Sequence, residues 1–239
     1  MFPVPTVVIS LKRAQERRLN AERELRAQGA DWEILDAIDG LKLQNIPPEY
    51  NEKKVASLLG FPLTLSEIGC FLSHREAWLN CIEKNKTILI LEDDFVLSQN
   101  IKEAISLLIE NPHSWDIARL QALAETNHAV IKDSAQFKIV QNHGDPLGAT
   151  AYLLKPSSAK KLITHSNEIF EPLDHFLEHS KKHGLRMVAV KPYPVTTNGS
   201  ESTIFDRPER HAISGSRKLM RSIARTVDRI VNPRPWFPK

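Results

Sequence analysis

Glu92-Asp93-Asp94 sets three carboxylates side by side after Thr87-Ile88-Leu89-Ile90-Leu91, five uncharged residues of which four are large aliphatics. Adjacent anions raise one another's electrostatic energy unless a cation or hydrogen-bond donors face them. A hard divalent cation relieves that repulsion, taking carboxylate oxygens and leaving coordination positions for phosphate. The chemistry on offer is metal-assisted handling of a phosphorylated ligand. The plain alternative is that Asp93 and Asp94 solvate a loop or favour the start of the next helix. Arg13, Arg17 and Arg18 follow the first apolar stretch, Thr6–Leu11. Helix arginines are usually just solvated, yet a diphosphate at the mouth of that stretch needs positive charge, and Arg13 and Arg17 are the candidates for it.

These groups need elements to hold them. Thr87–Leu91 reads as a strand buried on both faces of a sheet, and in open α/β sheets ligands bind off the carboxyl ends of such strands. Thr6–Leu11 reads as the first strand, Ala14–Gln28 as a charged helix stopped by Gly29, and Trp32–Ala37 as the second strand. This is a βαβ opening. Pro47-Pro48 breaks the chain before a short helix at Glu52–Leu59. A long helix over Ser66–Glu83, with Ser66 as its N-cap, leads into the acidic strand. Gly69 and Ser73, small and four apart, suit close packing of that helix. A helix over Ile101–Ile109 follows the acids. Ile117–Leu120, Phe137–Val140, Gly148–Leu154 and Met187–Val190 read as strands, with a polar connection between the first two. Pro156 opens one helix, and Asp174–His183 reads as another, stopped by Gly184. The alternation predicts an α/β fold with an open, mainly parallel sheet flanked by helices.

The 239 residues, 41% hydrophobic and 26% charged, suit one large domain or a domain with a small appendage. No run reaches membrane-spanning length. The first residues lack a basic region and a small-residue cleavage site, so no signal peptide is expected. Cys70 and Cys81 fall on one predicted helix, roughly 16 Å apart at helical rise, too far for a disulfide. They have no zinc spacing and are expected to pack in the core, which together suits a reducing cytoplasm. From Arg207 to Lys239, nine Lys/Arg against Glu209 and Asp228 give +7, so the rest of the chain carries −4 of the total of +3. In this tail Leu219, Met220, Ile223, Val227, Ile230 and Val231 recur at helical spacing opposite Arg217, Lys218, Arg221, Arg225 and Arg229. The pattern fits a basic amphipathic helix on an anionic membrane surface, or a helix docked on the body with its arginines solvated. The chain divides at 206 into a body (1–206) and this tail (207–239). Nucleic acid is not expected as a partner, because no aromatics interleave the basic stripe.

The sequence resembles glycosyltransferase family 25, the bacterial lipooligosaccharide glycosyltransferases related to collagen galactosyltransferases. Four ordered segments carry the likeness. They are Val8-Ile9-Ser10-Leu11-Lys12-Arg13 with Glu16-Arg17-Arg18; Asp36-Ala37-Ile38-Asp39-Gly40; Leu65-Ser66-Glu67-Ile68-Gly69-Cys70-Phe71-Leu72-Ser73-His74; and Ile90-Leu91-Glu92-Asp93-Asp94. Gly148–Tyr152, Ala159–Leu162 and Pro172-Leu173-Asp174 add weaker support in the right order.

The resemblance implies a GT-A type, Rossmann-like fold and an inverting transfer of a hexose from a UDP-sugar to a sugar hydroxyl, with Mn²⁺ (or Mg²⁺). Galactose is the first choice and glucose the second. It implies a lipid-linked oligosaccharide acceptor of the lipooligosaccharide or lipopolysaccharide core; with the basic tail, the expectation is a cytoplasmic enzyme peripheral to the inner face of the cytoplasmic membrane. Asp94 is then the direct metal ligand, Glu92 acts through water or the ribose, and Asp93 faces the donor sugar. Ser10, Arg13, Arg17 and Asp36 are donor-binding candidates, while Asp39 and Gly40 form a structural turn. Asp174 matches the family's Pro-aliphatic-Asp motif and is the candidate general base, its plain alternative being a helix N-cap. His74, Ser73, Glu67 and Glu201 are candidate active-site contacts, His74 being otherwise a hydrogen-bonded structural histidine. His211 is either a late metal ligand or an exposed residue. The competing classes are a non-catalytic glycan- or protein-binding relative, disfavoured by the retained acids, and a metal phosphohydrolase.

Overall fold

The computed structural model describes residues 2–199. The basic tail, Glu201 and His211 lie outside the described residues. In chain order the elements are β1 (Thr6–Ser10), α1 (Gln15–Ala27), β2 (Trp32–Asp36), α2 (Glu52–Leu59), α3 (Leu65–Lys84), β3 (Ile88–Glu92), β4 (Phe95–Leu97), α4 (Ile101–Glu110) and β5 (Ile117–Arg119). They continue with β6 (His128–Asp133), β7 (Lys138–Asn142), β8 (Ala151–Leu154), α5 (Pro156–His165), α6 (Leu173–Glu178), α7 (Ser180–His183), β9 (Met187–Lys191) and β10 (Val195–Thr197).

Eight strands form one sheet in the order β2-β1-β3-β8-β5-β9-β7-β6. β1 pairs parallel with β2 and β3, and β5 with β9. β8 runs against β3 and β5, and β7 against β9 and β6. Six strands therefore point one way and two oppose them, which is the mainly parallel α/β sheet the sequence predicts. β4 and β10 make a separate antiparallel pair.

The apolar run of β3 is explained by its cover. Leu89 and Leu91 join one core with Ala21 and Leu25 of α1 and Ile101, Ile105 and Leu108 of α4. Ile88 and Ile90 point the other way, into a core with Phe71, Trp78 and Cys81 of α3, Leu162 of α5 and Phe176 of α6. Alternate residues of one strand thus feed two layers, and neither face can be polar.

Several boundaries differ from those read in the sequence. α3 starts one residue earlier than expected, capped by Thr64 and not Ser66. The Thr64 hydroxyl accepts the Glu67 N–H at 3.1 Å, and the Glu67 carboxylate accepts the Thr64 N–H at 3.0 Å. This reciprocal capping box satisfies two otherwise orphaned donors, which Ser66 cannot match. Part of the polar connection between β5 and β7 is the strand β6, whose exposed pattern comes from its place at the sheet edge. The helix expected over Asp174–His183 is two short ones, α6 and α7, separated at His179. Glu92 closes β3 itself, leaving Asp93 and Asp94 as the turn into β4.

Candidate active site

A cleft opens at the carboxyl ends of β1 and β3, the place where an open α/β sheet binds ligands. Ser10 ends β1 and Glu92 ends β3, with Asp93 and Asp94 in the turn just beyond; Arg13 and Arg17 flank them from the β1–α1 side. The opposite wall is α3 (Ser66, Cys70, Ser73, His74) with the turn Ala37–Gly40. α3 reaches that turn because Gly69 has no side chain: a Cβ there would lie 2.7 Å from Gly40 N and Ile38 O. The Ser73 hydroxyl accepts the Ile38 N–H at 2.8 Å and donates to Gly69 O at 2.7 Å, fastening helix to turn.

The three acids have different surroundings. Asp93, 9% exposed, accepts hydrogen bonds from the Ser10 hydroxyl at 2.5 Å and from Arg17 at 3.1 Å. Glu92 faces inward. Its Oε1 lies 3.4 Å from His74 Nε2 and accepts the Cys70 thiol at 3.7 Å, and its Oε2 accepts the Thr150 hydroxyl at 3.1 Å. Burial pushes the Glu92 carboxyl up, but the hydrogen bonds from His74, Thr150 and Cys70 hold it below the usual glutamate value. Asp94 is the strained one. Its Oδ1 is buried and has no hydrogen-bond partner among the described residues. Burial first, then the Glu92 charge and, more weakly, Asp93 push its pKa up to about 6, with Arg17 working against them.

An orphaned buried carboxylate oxygen beside two further anions fits a divalent cation. Asp94 would hold it directly. Cys70, His74 and Glu92 also bring their donor atoms within 4.8 Å of one another. Burial pushes the Cys70 thiol far up, and the Glu92 and Asp174 charges add to that, so the neutral sulfur is a poor ligand for a hard ion.

The cleft gathers Ser10, Arg13, Arg17, Ser73, His74, Glu92, Asp93 and Asp94. Three described candidates sit elsewhere. Asp36 lies at the end of β2 outside the cleft lining, paired with Arg18 at 2.8 Å and Lys12 at 3.1 Å, and those two cations hold its carboxyl below the ordinary value. Glu67 is 4% exposed and serves the α3 capping box. Asp174 lies in the first turn of α6, its carboxylate accepting the His175 N–H at 2.9 Å, and Pro172 holds the N-cap position. It is close enough to Cys70 to act on the thiol electrostatically. Arg13 is held by Asp39 through two hydrogen bonds of 3.2 and 3.3 Å.

Cys70 does more than the expected core packing: half-buried, it packs against the Ile88/Ile90 core and also lines the cleft. Its spacing with His74, i to i+4 on a helix, was the available signal. Thr150, Tyr152 and Trp78, which surround Glu92 and His74, were missed as site residues, since nothing in their local sequence marks them as polar partners.

The family model described as glycosyltransferase family 25 (LPS biosynthesis protein) matches residues 4–177. The chain is 34% identical over 114 residues to procollagen galactosyltransferase 2 of Homo sapiens, covering 44% of this chain and 18% of that protein. It is 29% identical over 167 residues to the lipooligosaccharide biosynthesis protein lic2B of Haemophilus influenzae, covering 66% of this chain and 62% of that protein. It thus spans less than two thirds of the length of either. Among solved structures, a mutant Drosophila beta-1,4-galactosyltransferase 7 in complex with manganese, UDP-Gal and xylobiose aligns at TM-score 0.45 and 12% identity, over 91% of this chain and 79% of that one.

Proposed function

This chain belongs to glycosyltransferase family 25 and is a glycosyltransferase, and we propose that it transfers galactose, or failing that glucose, from a UDP-sugar to a saccharide hydroxyl with inversion. The acceptor class is a lipid-linked oligosaccharide of the lipooligosaccharide or lipopolysaccharide core, in keeping with the bacterial relative's name; the galactosyl choice is supported by the human relative's name.

The Asp94 carboxylate carries this reading: a buried, unpartnered anionic oxygen at the mouth of a central strand, with Arg13 and Arg17 beside it. Asp94 is the ligand for Mn²⁺ or Mg²⁺, and Glu92, already bonded through both oxygens, supports it from behind. A bound ion supplies Lewis-acid stabilisation of the departing diphosphate. The diphosphate draws the Arg13 and Arg17 guanidinium groups away from Asp39 and Asp93, since phosphate is the stronger bidentate partner. Asp93, kept in place by Ser10, then accepts a hydroxyl of the donor sugar. Asp174, outside the cleft lining but near enough to act on the Cys70 thiol, is the base that takes the proton of the acceptor hydroxyl as its oxygen bonds to the anomeric carbon and the bond to UDP breaks. The basic tail holds the enzyme on the inner face of the cytoplasmic membrane, where acceptor is concentrated.

The test is a screen of the full chain with Mn²⁺ and separate UDP-sugars. UDP-galactose with Mn²⁺ is expected to raise Tm, with about 2.7 kcal/mol of stabilisation at a hundredfold excess over Kd, and to be slowly hydrolysed. Neither effect with any UDP-sugar would overturn the reading.

A further inference from the structure

Trp78, Tyr152, His74 and Glu92 form an unbroken polar line from the core to the cleft. Trp78 and His74 are fully buried and Tyr152 is 2% exposed. The indole N–H can only donate, so at 2.9 Å it donates to the Tyr152 hydroxyl oxygen. The one Tyr152 proton then goes to His74 Nδ1 at 2.8 Å. Stacking of the two rings, 5.7 Å between centroids and 16° between planes, keeps the hydroxyl aimed there. A neutral imidazole carries one proton, and with Nδ1 accepting, that proton sits on Nε2, facing Glu92 Oε1 at 3.4 Å.

This direction has a consequence for cations. Nε2 and Sγ stand 3.4 and 3.7 Å from the same Glu92 oxygen, and Cys70, His74 and Glu92 are ligand types that a tetrahedral zinc-like ion accepts. Ligation there requires the Nε2 lone pair, which moves the ring proton to Nδ1. The Tyr152 oxygen would then receive two donors, and its own O–H would lose its acceptor in a buried place.

We propose that Tyr152, oriented by Trp78, is a positioning residue: it holds the His74 proton on Nε2, keeps the Cys70–His74–Glu92 floor as a hydrogen-bonded support for Glu92, and denies that floor to divalent cations, leaving them to Asp94. Only the last clause rests on the metal-dependent function proposed above; the tautomer does not.

The experiment uses the full chain with ¹⁵N-labelled histidine, the His74 signals being identified by their loss in His74→Gln. The wild type is expected to show His74 protonated on Nε2. Titration with Co²⁺ reads the floor separately, because a thiolate ligand gives a near-ultraviolet charge-transfer band that oxygen ligands do not. The wild type is expected to show no such band. Tyr152→Phe is expected to show it, with at least tenfold tighter Co²⁺ binding at the floor, and Tyr152→Phe combined with Cys70→Ser is expected to lose it. Trp78→Phe, which keeps the hydroxyl but frees its direction, is expected to mix the two tautomers, and it serves should Tyr152→Phe fail to fold. A wild-type proton on Nδ1, a wild-type band equal to that of Tyr152→Phe, no band in folded Tyr152→Phe, or an unchanged tautomer in Trp78→Phe would each overturn the proposal. Failure of the UDP-sugar screen would instead sink the functional reading and leave the tautomer result standing.

Discussion

A carboxyl group that titrates near pH 6 destabilises its own fold at neutral pH, and Asp94 is such a group. Its pKa in the folded chain lies above the ordinary 3.8, so between about pH 4 and 6 the folded chain keeps a proton that the unfolded chain releases. The associated stability is present below that window and lost as pH rises through it. Asp94→Asn removes the burdened charge. The variant is expected to exceed the wild type in metal-free stability by about 2–3 kcal/mol at pH 7.5 and by little at pH 4, as read from urea melts at both values. Mn²⁺ affinity should run the opposite way with pH. It is expected to rise about tenfold per pH unit below 6 and level off above, and to vanish in Asp94→Asn by titration calorimetry. Asp174 calls for a different readout. Asp174→Asn is expected to keep donor affinity while turnover falls about 10²–10⁴-fold; a loss of donor binding instead would reassign it.

α3 does more than cover the sheet. Its first half lies against the turn Ala37–Gly40 with two glycines at the contact, and that turn carries Asp39, the partner of Arg13. Gly69→Ala forces helix and turn apart against backbone atoms that have no rotamer to change. A stability loss of about 1–3 kcal/mol is expected in denaturant melts, with weaker UDP binding because the cleft wall moves with the turn. Wild-type stability in Gly69→Ala would show that the turn yields freely. The mixed direction of the sheet also has a local cause. β8 runs against β3 and β5, and its N-terminal end brings Thr150 to the carboxyl end of β3, where its hydroxyl meets Glu92. A parallel strand in that place would present its other end.

At the scale of the whole molecule, the described body is an α/β unit with its cleft at the carboxyl ends of two interior strands, and none of its helices is long and apolar enough to cross a membrane. Attachment to a bilayer is proposed for the tail alone. Replacing Arg217, Lys218, Arg221, Arg225 and Arg229 by Gln in the full chain is expected to abolish co-sedimentation with anionic vesicles, at about 1 kcal/mol per charge near the surface. The Tm of the body should stay unchanged. Undiminished co-sedimentation would refute the membrane role.

What the chain alone determined were the features written over a few neighbouring residues: the doubly buried β3, the acids that end it, the arginines after β1 and the small residues of α3. Each is a local pattern with a local physical cause, and the ordered segments added the family. The tertiary structure decided which of those groups share a cleft. It set Asp36 and Glu67 outside and brought Cys70 in, because a residue's place there depends on how α3 is rotated and where the β2 turn stops. It also decided the partners of Glu92. His74 lies 78 positions from Tyr152, and Thr150 lies 58 from Glu92. Hydrogen bonds over such separations follow from strand order and side-chain direction, which no short stretch of sequence encodes.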